Sequence, residues 1–188
     1  MYRHCATEET AQRQRQLEQC LLSLMLRKRY HSISVRELCA EACISRMAFY
    51  QYFDSKDDAL DALIDHTLQD FGSFDCTKDE LERFAHYWKL QQPLLDALHL
   101  NQLDELLTTR SLQLISAEDH DFRRRFGPEL EEYDEMLLRF TVQGIISIIQ
   151  SWHQSQYQLS ANQIAALLHR ALMQPLMAEQ HNATSGPF

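Results

Sequence analysis

Glycine and proline are scarce in this sequence, four of each in 188 residues, and the first glycine is Gly72. So few helix breakers, with no sustained polar–apolar alternation, exclude a sheet-based fold and leave a chain that is helical almost throughout. Long apolar runs are missing too. The longest, Val142 to Ile149, is interrupted by Gln143 and Ser147, well short of the roughly 18 residues a membrane span needs. The N-terminal "MYRHCATEETAQRQRQ" is polar from its start and excludes a secretory signal. Cysteine is sparse: Cys5, Cys20, Cys39, Cys43 and Cys76 are odd in number and contain no CxxC pair. That excludes a disulfide framework, fits a reduced cytoplasmic interior, and leaves Cys39 and Cys43 without the partners that would complete a metal site. HExxH, GxSxG and a phosphate-cradling glycine loop are all absent, so neither an enzyme nor a cofactor is expected.

Charge is present, and it is unevenly placed. The net charge is −9 over the whole chain, yet residues 1–56 hold nine Lys/Arg against six Asp/Glu, and residues 57–188 nine against twenty-one. A basic head on an acidic body is the pattern of a protein that brings one end to an anionic partner.

Apolar spacing places a first helix at about Thr10 to Arg29, with Leu17, Leu21, Leu24 and Met25 on one stripe. "RYHSI" breaks it. Ser34 followed by Glu37 has capping-box spacing and predicts a second helix from Val35 to Ala42, its inward side Val35, Leu38, Cys39 and Ala42. After "CIS", Ser45 caps a short helix from Arg46 to Phe53. "DSKDDAL" opens a fourth, ending near Gly72, with Asp57 and Asp58 at its positive end. Beyond lie helices at about 78–90, 92–100, 102–117, 129–155 and 160–178, with Gly127-Pro128 the clearest internal boundary.

Two short helices joined by a tight turn make a helix-turn-helix. On the helical wheel of the short helix, Ser45 and Phe53 lie about 40° either side of Phe49. Phe49 and Phe53 therefore face inward, and Met47 and Gln51 face away from any core. A helix of about eight residues is about 12 Å long, which suits a major groove about 12 Å wide. Gln51 can hydrogen-bond an adenine edge, Met47 and Ala48 can touch a thymine methyl, and Tyr50 and Tyr52 can donate to phosphates. Arg36 and Lys56 would bracket the site and neutralise backbone charge.

The run "SVRELCAEACISRMAFYQYFDSKDDAL" resembles the DNA-binding motif of TetR-family transcriptional regulators in order, spacing and helix caps, over roughly residues 10–70. The resemblance implies an all-α fold: a three-helix DNA-binding head at 1–56, a connecting helix at 57–72, a helical dimerisation and effector-binding domain at 73–180, and a disordered tail at 181–188. By position it implies a DNA-facing set of Ser34, Arg36, Ser45, Arg46, Met47, Tyr50, Gln51, Tyr52 and Lys56. Two residues depart from the family pattern: Cys43 stands where its turn usually has glycine, and Arg29 where its first helix usually ends with glycine. A non-glycine held at positive φ costs about 1 kcal/mol.

The same resemblance implies a cytoplasmic homodimer that binds a palindromic DNA operator, more often as a repressor, and that a small-molecule effector releases. An adaptor or co-activator that keeps the fold without binding operator DNA is the alternative. Dense apolar stripes on the last two helices point to an interface involving Phe140, Gly144, Ile148, Trp152, Ile164, Leu168 and Leu172. Phe84, Tyr87, Trp88, Leu95, Leu98 and Leu107 are the candidate effector-pocket residues. The arginine run at 123–125 could hold an anionic ligand or pair with nearby acids.

Overall fold

The structure, a computed structural model, describes residues 8–71, 77–118 and 134–177. Among them are nine α-helices, one 3-10 turn and no strand, as the scarcity of helix breakers predicts. In chain order these are α1 Glu8–Arg27, the turn Tyr30–Ser32, α2 Val35–Glu41, α3 Arg46–Phe49, α4 Lys56–Asp70, α5 Lys78–Leu90, α6 Gln92–Leu100, α7 Asp104–Glu118, α8 Asp134–Gln154 and α9 Ala161–Met177. The Gly127-Pro128 boundary, the arginine run at 123–125 and the tail at 181–188 lie outside the described residues. The chain falls into two compact units, one within 1–70 and 93–118, the other within 71–92 and 119–188.

In the first unit the stripe on α1 is buried as its spacing predicts: Leu17, Leu21, Leu24 and Met25. Leu38, Cys39 and Ala42 of α2, Phe49 and Phe53, and Leu60, Leu63 and Ile64 of α4 are buried in the same unit. Burying a large apolar side chain contributes about 1.5–3 kcal/mol, so this cluster outweighs any single cap in holding such short helices. Polar ties join the longer ones. Buried Glu18 of α1 meets Nδ1 of His66 on α4 at 2.9 Å. Burial pushes the Glu18 carboxyl upward, and its hydrogen bond with His66 opposes that. Arg15 grips Asp70 with two hydrogen bonds of 2.9 and 2.8 Å. Arg110 of α7 forks onto Asp65 of α4, Nε to Oδ1 at 2.7 Å and Nη2 to Oδ2, leaving neither charge unpaired.

In the second unit α5 packs on α9 and α8. Leu81, Ala85 and Trp88 of α5 are buried, as are Ile164, Ala165 and Leu168 of α9. On α8 the buried residues are Leu138, Val142, Ile146, Ile149 and Trp152, whereas Met136 and Phe140 are exposed. The apolar residues of α8 thus occupy two faces, not the single stripe their density suggests.

Between α1 and α4 the chain is set by local chemistry. Ser34 accepts from the Glu37 amide at 3.2 Å and Glu37 accepts from the Ser34 amide at 3.0 Å, a complete capping box. Lys28 donates to the other oxygen of Glu37, and Arg27 reaches Glu41 at 2.5 Å. α2 ends with Cys43 in the left-handed region at φ 54°. The Cys43 amide bonds to the Ala40 carbonyl and the Ile44 amide to that of Cys39, so the last carbonyls of α2 are satisfied. At Arg29 the strain is absent, because its φ of −63° is ordinary extended backbone. α6 and α8 end likewise, with Gln102 at φ 60° and Gln156 at 56°.

The regular α-helical span of α3 is shorter than expected, ending at Phe49 instead of Phe53. The helical path continues more tightly: the Gln51 and Tyr52 amides bond three residues back, to Ala48 and Phe49. The tightening still brings Phe53 under Phe49, with ring centroids 5.6 Å apart.

Two predictions follow from these helix ends. Cys43→Gly should raise stability by about 0.5 kcal/mol, relief of left-handed strain exceeding glycine's extra unfolded-state freedom, and Cys43→Val should lower it by more than about 1 kcal/mol. Urea unfolding midpoints read both; a midpoint unmoved by Val would mean that the turn is not strained. Glu37 is held down to about 2, first by its hydrogen bond from Lys28 and then by those from Ser34. A depressed carboxylate contributes stability above its ordinary value of 4.5 that disappears as pH falls toward 2. The midpoint difference between wild type and Glu37→Gln should therefore narrow steadily from about pH 5 to about pH 3, modestly, because the group is exposed. A constant difference would contradict the assignment.

Candidate nucleic-acid interface

The side chains that build the helix-turn-helix and those it leaves outside separate cleanly. Phe49 and Phe53 are 0% and 1% exposed, whereas Met47 is 78% and Tyr50 42% exposed. Gln51, Arg36 and Arg46 are exposed as well, and Ala48 and Tyr52 are half-buried. Tyr50 rests edge-on against Phe49, centroids 5.4 Å apart, which steadies its ring without covering the hydroxyl's approach. Ser45 caps α3 by accepting from the Ala48 amide at 3.1 Å. The two serines of the expected DNA-facing set, Ser34 and Ser45, are thus both occupied in capping.

Electrostatics favour an anion at this surface. Neither the Arg36 side chain, in the first turn of α2, nor that of Arg46, in the first turn of α3, has an ion-pair or hydrogen-bond partner among the described residues. The acids of α2 are neutralised elsewhere, Glu37 by Lys28 and Glu41 by Arg27. Two cations remain beside an exposed Met, Gln and Tyr, able to meet phosphates while the shorter groups meet base edges.

Lys56 is placed differently from a residue free to meet phosphate. Its ammonium donates to the carbonyls of Tyr30 at 2.8 Å and Ile33 at 3.0 Å and lies 4.3 Å from the centre of the Tyr30 ring. It holds the connection between α1 and α2 to the start of α4. Tyr30 donates its hydroxyl to Asp57, and burial and that bond push its phenol far above its ordinary value.

Sequence reasoning missed Asn101, which touches the same connection, and the Arg29 guanidinium, which donates to the Leu100 carbonyl at 2.8 Å. In the sequence Asn101 signals only a helix end, and its partner Tyr30 is 71 positions away.

The expected effector-pocket residues divide between the units. Leu95, Leu98 and Leu107 are buried in the first; Trp88 is buried in the second, where Phe84 and Tyr87 are half-buried. Phe71, Phe84, Tyr87 and Trp88 form a chain of ring contacts with centroids 5.2 to 6.2 Å apart. The Trp88 indole N–H is buried and has no acceptor among the described residues. Of the expected interface residues, Phe140 and Gly144 are exposed, Ile148 and Leu172 half-buried, and Trp152, Ile164 and Leu168 buried within the chain.

Residues 22–63 match the family model of the N-terminal domain of bacterial regulatory proteins of the tetR family. No curated protein matches the sequence significantly. Among solved structures, one titled dihydroxyacetone kinase operon activator DhaS is similar in fold, with a TM-score of 0.59 and 15% identity over 88% of this chain and 97% of that one. The matched segment runs from Leu22 near the end of α1 to Leu63 in α4 and contains the whole turn, both serine caps and the two buried phenylalanines. Residues 22–63 are thus the DNA-binding domain of the tetR family of bacterial regulators, proteins that control transcription and are not enzymes.

Proposed function

We propose that this regulator is a cytoplasmic homodimeric repressor that binds a palindromic operator and is released by a small-molecule effector. In this reading residues 1–56 form the DNA-binding head, 57–72 the connecting helix and 73–180 the domain for dimerisation and effector binding. The observation that carries the DNA contact is the outward disposition of Met47, Tyr50 and Gln51 beside two arginines whose side chains have no acidic partner among the described residues. The same observation weighs against the adaptor alternative, in which nothing calls for cations without partners.

Dimerisation is supported by the second face of α8. Met136 is 70% and Phe140 77% exposed, and a Cβ built on Gly144 would meet nothing within 4 Å. A mid-helix glycine costs about 1 kcal/mol relative to alanine, and no packing among the described residues accounts for it here. Close approach of a second helix does. Trp152, Ile164 and Leu168 hold α8 and α9 within the subunit, and Phe140, Gly144, Ile148 and Leu172 are the interface residues of this proposal. One short helix specifies too few base pairs, and two heads about one helical turn apart supply the rest. For the effector, the support is the acceptor-less Trp88 indole beside half-buried rings, a group that a ligand carbonyl would satisfy.

The test of DNA binding is a mobility shift with the duplex flanking the protein's own gene. Log affinity should fall steeply with log salt; Arg36→Ala and Arg46→Ala should each flatten that slope by about one, and Gln51→Ala should cost about 1–3 kcal/mol of discrimination at one base pair per half-site. A wild-type response flat in salt would remove the regulator's proposed contacts and favour the adaptor. For the dimer, Phe140→Arg should turn the protein into monomers by analytical ultracentrifugation and lower operator affinity at least about 100-fold. A Phe140→Arg dimer of unchanged strength would place the interface elsewhere.

A further inference from the structure

The connection between α1 and α2 is gripped from two sides by side chains far away in sequence. From α4, Lys56 takes its carbonyls, as described. From the end of α6, Asn101 takes an amide: its Oδ1 accepts from the Tyr30 N–H at 2.5 Å. The Asn101 Nδ2 donates to the Met25 carbonyl at 3.1 Å and to the Ala97 carbonyl at 2.7 Å. Beside it the Arg29 guanidinium donates to the Leu100 carbonyl.

These partners are groups that helix geometry leaves unpaired. Met25 lies in the last turn of α1, where carbonyls lack an intrahelical donor, and Tyr30 opens the 3-10 turn, where an amide lacks an acceptor. One carboxamide answers both, because it alone among side chains of this size presents an acceptor and two donors in one plane. Asn101 is itself fixed: the amides of Gln102 and Leu103 bond back to His99 and Leu98, and Gln102 takes φ 60°. A rigid helix end therefore clamps the last turn of α1 to the first residue of the connection. Four residues after Tyr30 the chain reaches Ser34, the cap of α2, and α2 packs directly on α3.

We infer that Asn101 is a positioning residue for DNA reading: by clamping Met25 to Tyr30 it fixes the angle at which α2 and α3 leave α1, and with it the half-site spacing the dimer accepts. This rests on the reading of the protein as a dimer on a palindrome. The prediction is specific to geometry, because Asn101 directly follows α6 and its bonds go to Tyr30, Met25 and Ala97, none of them a DNA-facing side chain. Losing it frees the head to pivot. A pivoting head binds the best operator less tightly and discriminates less between spacings, since the angle no longer has to be paid for at the wrong ones.

The test uses the full-length chain. Wild type first selects duplexes from a random pool; the recovered operator is then rebuilt with its half-sites one or two base pairs closer or farther apart. Wild type should lose about tenfold in affinity per base pair of displacement. Asn101→Ala and Asn101→Asp, which cannot donate to Met25, should bind the best operator about tenfold more weakly yet lose only about threefold or less per displacement. Arg29→Ala, an exposed substitution at the same joint, should flatten the profile to a smaller degree and serves if the Asn101 variants do not fold. A merely structural Asn101 would lower affinity equally at every spacing, and such parallel profiles, in whichever variant folds, overturn the inference while leaving operator binding intact. A wild type that recovers no duplex would overturn the underlying reading instead.

Discussion

A four-residue helix has no stability of its own, since one turn fixes more backbone than its hydrogen bonds repay. α3 exists because Phe49 and Phe53 are buried beneath it and Ser45 caps its start. That constraint governs the head. It forces the chain to tighten after Phe49, it turns Met47 and Gln51 outward, and it requires α1, α2 and α4 to supply the apolar floor on which two phenylalanines sit. The remaining devices of the head hold that floor still: the capping box, the left-handed exit at Cys43 and the ion pairs along α1.

Charge placement then converts a packed domain into a binding one. Acids that could have neutralised the outer surface are drawn away by Lys28 and Arg27 on α1. What is left outward is cationic at its edges and short and adaptable at its centre, an arrangement that suits a phosphate-lined groove. The two-faced apolar character of α8 is the counterpart in the second unit, one face buried within the chain and the other, with Met136 and Phe140, exposed.

Much of this was legible because its signals are local. Helix caps, the Phe49–Phe53 spacing and the stripe on α1 depend on residues a few positions apart, and the scarcity of helix breakers together with the lack of polar–apolar alternation pointed away from sheets. The strain expected at Cys43 was readable from its place in the turn; that expected at Arg29 was not met, because a 3-10 turn follows α1 and needs no positive φ. The hold of Lys56 on two carbonyls was not legible, because a lysine's sequence position says nothing about which carbonyls lie within its reach. Asn101 was invisible for the same reason. On α8 a density of apolar residues could not reveal which face packs within the chain, so Trp152 and Phe140 read alike although one is buried and the other exposed.

The engagement of Lys56 with two carbonyls has a bearing on how strongly one head can hold nucleic acid. With that ammonium turned inward, a single head has one cation fewer to offer a phosphate. In the proposed dimer, coupling two such heads would make the second contact intramolecular, so that overall strength would be governed by effective concentration and not by either grip alone. Such avidity would collapse once the two could not engage together, making occupancy sensitive to very small rotations.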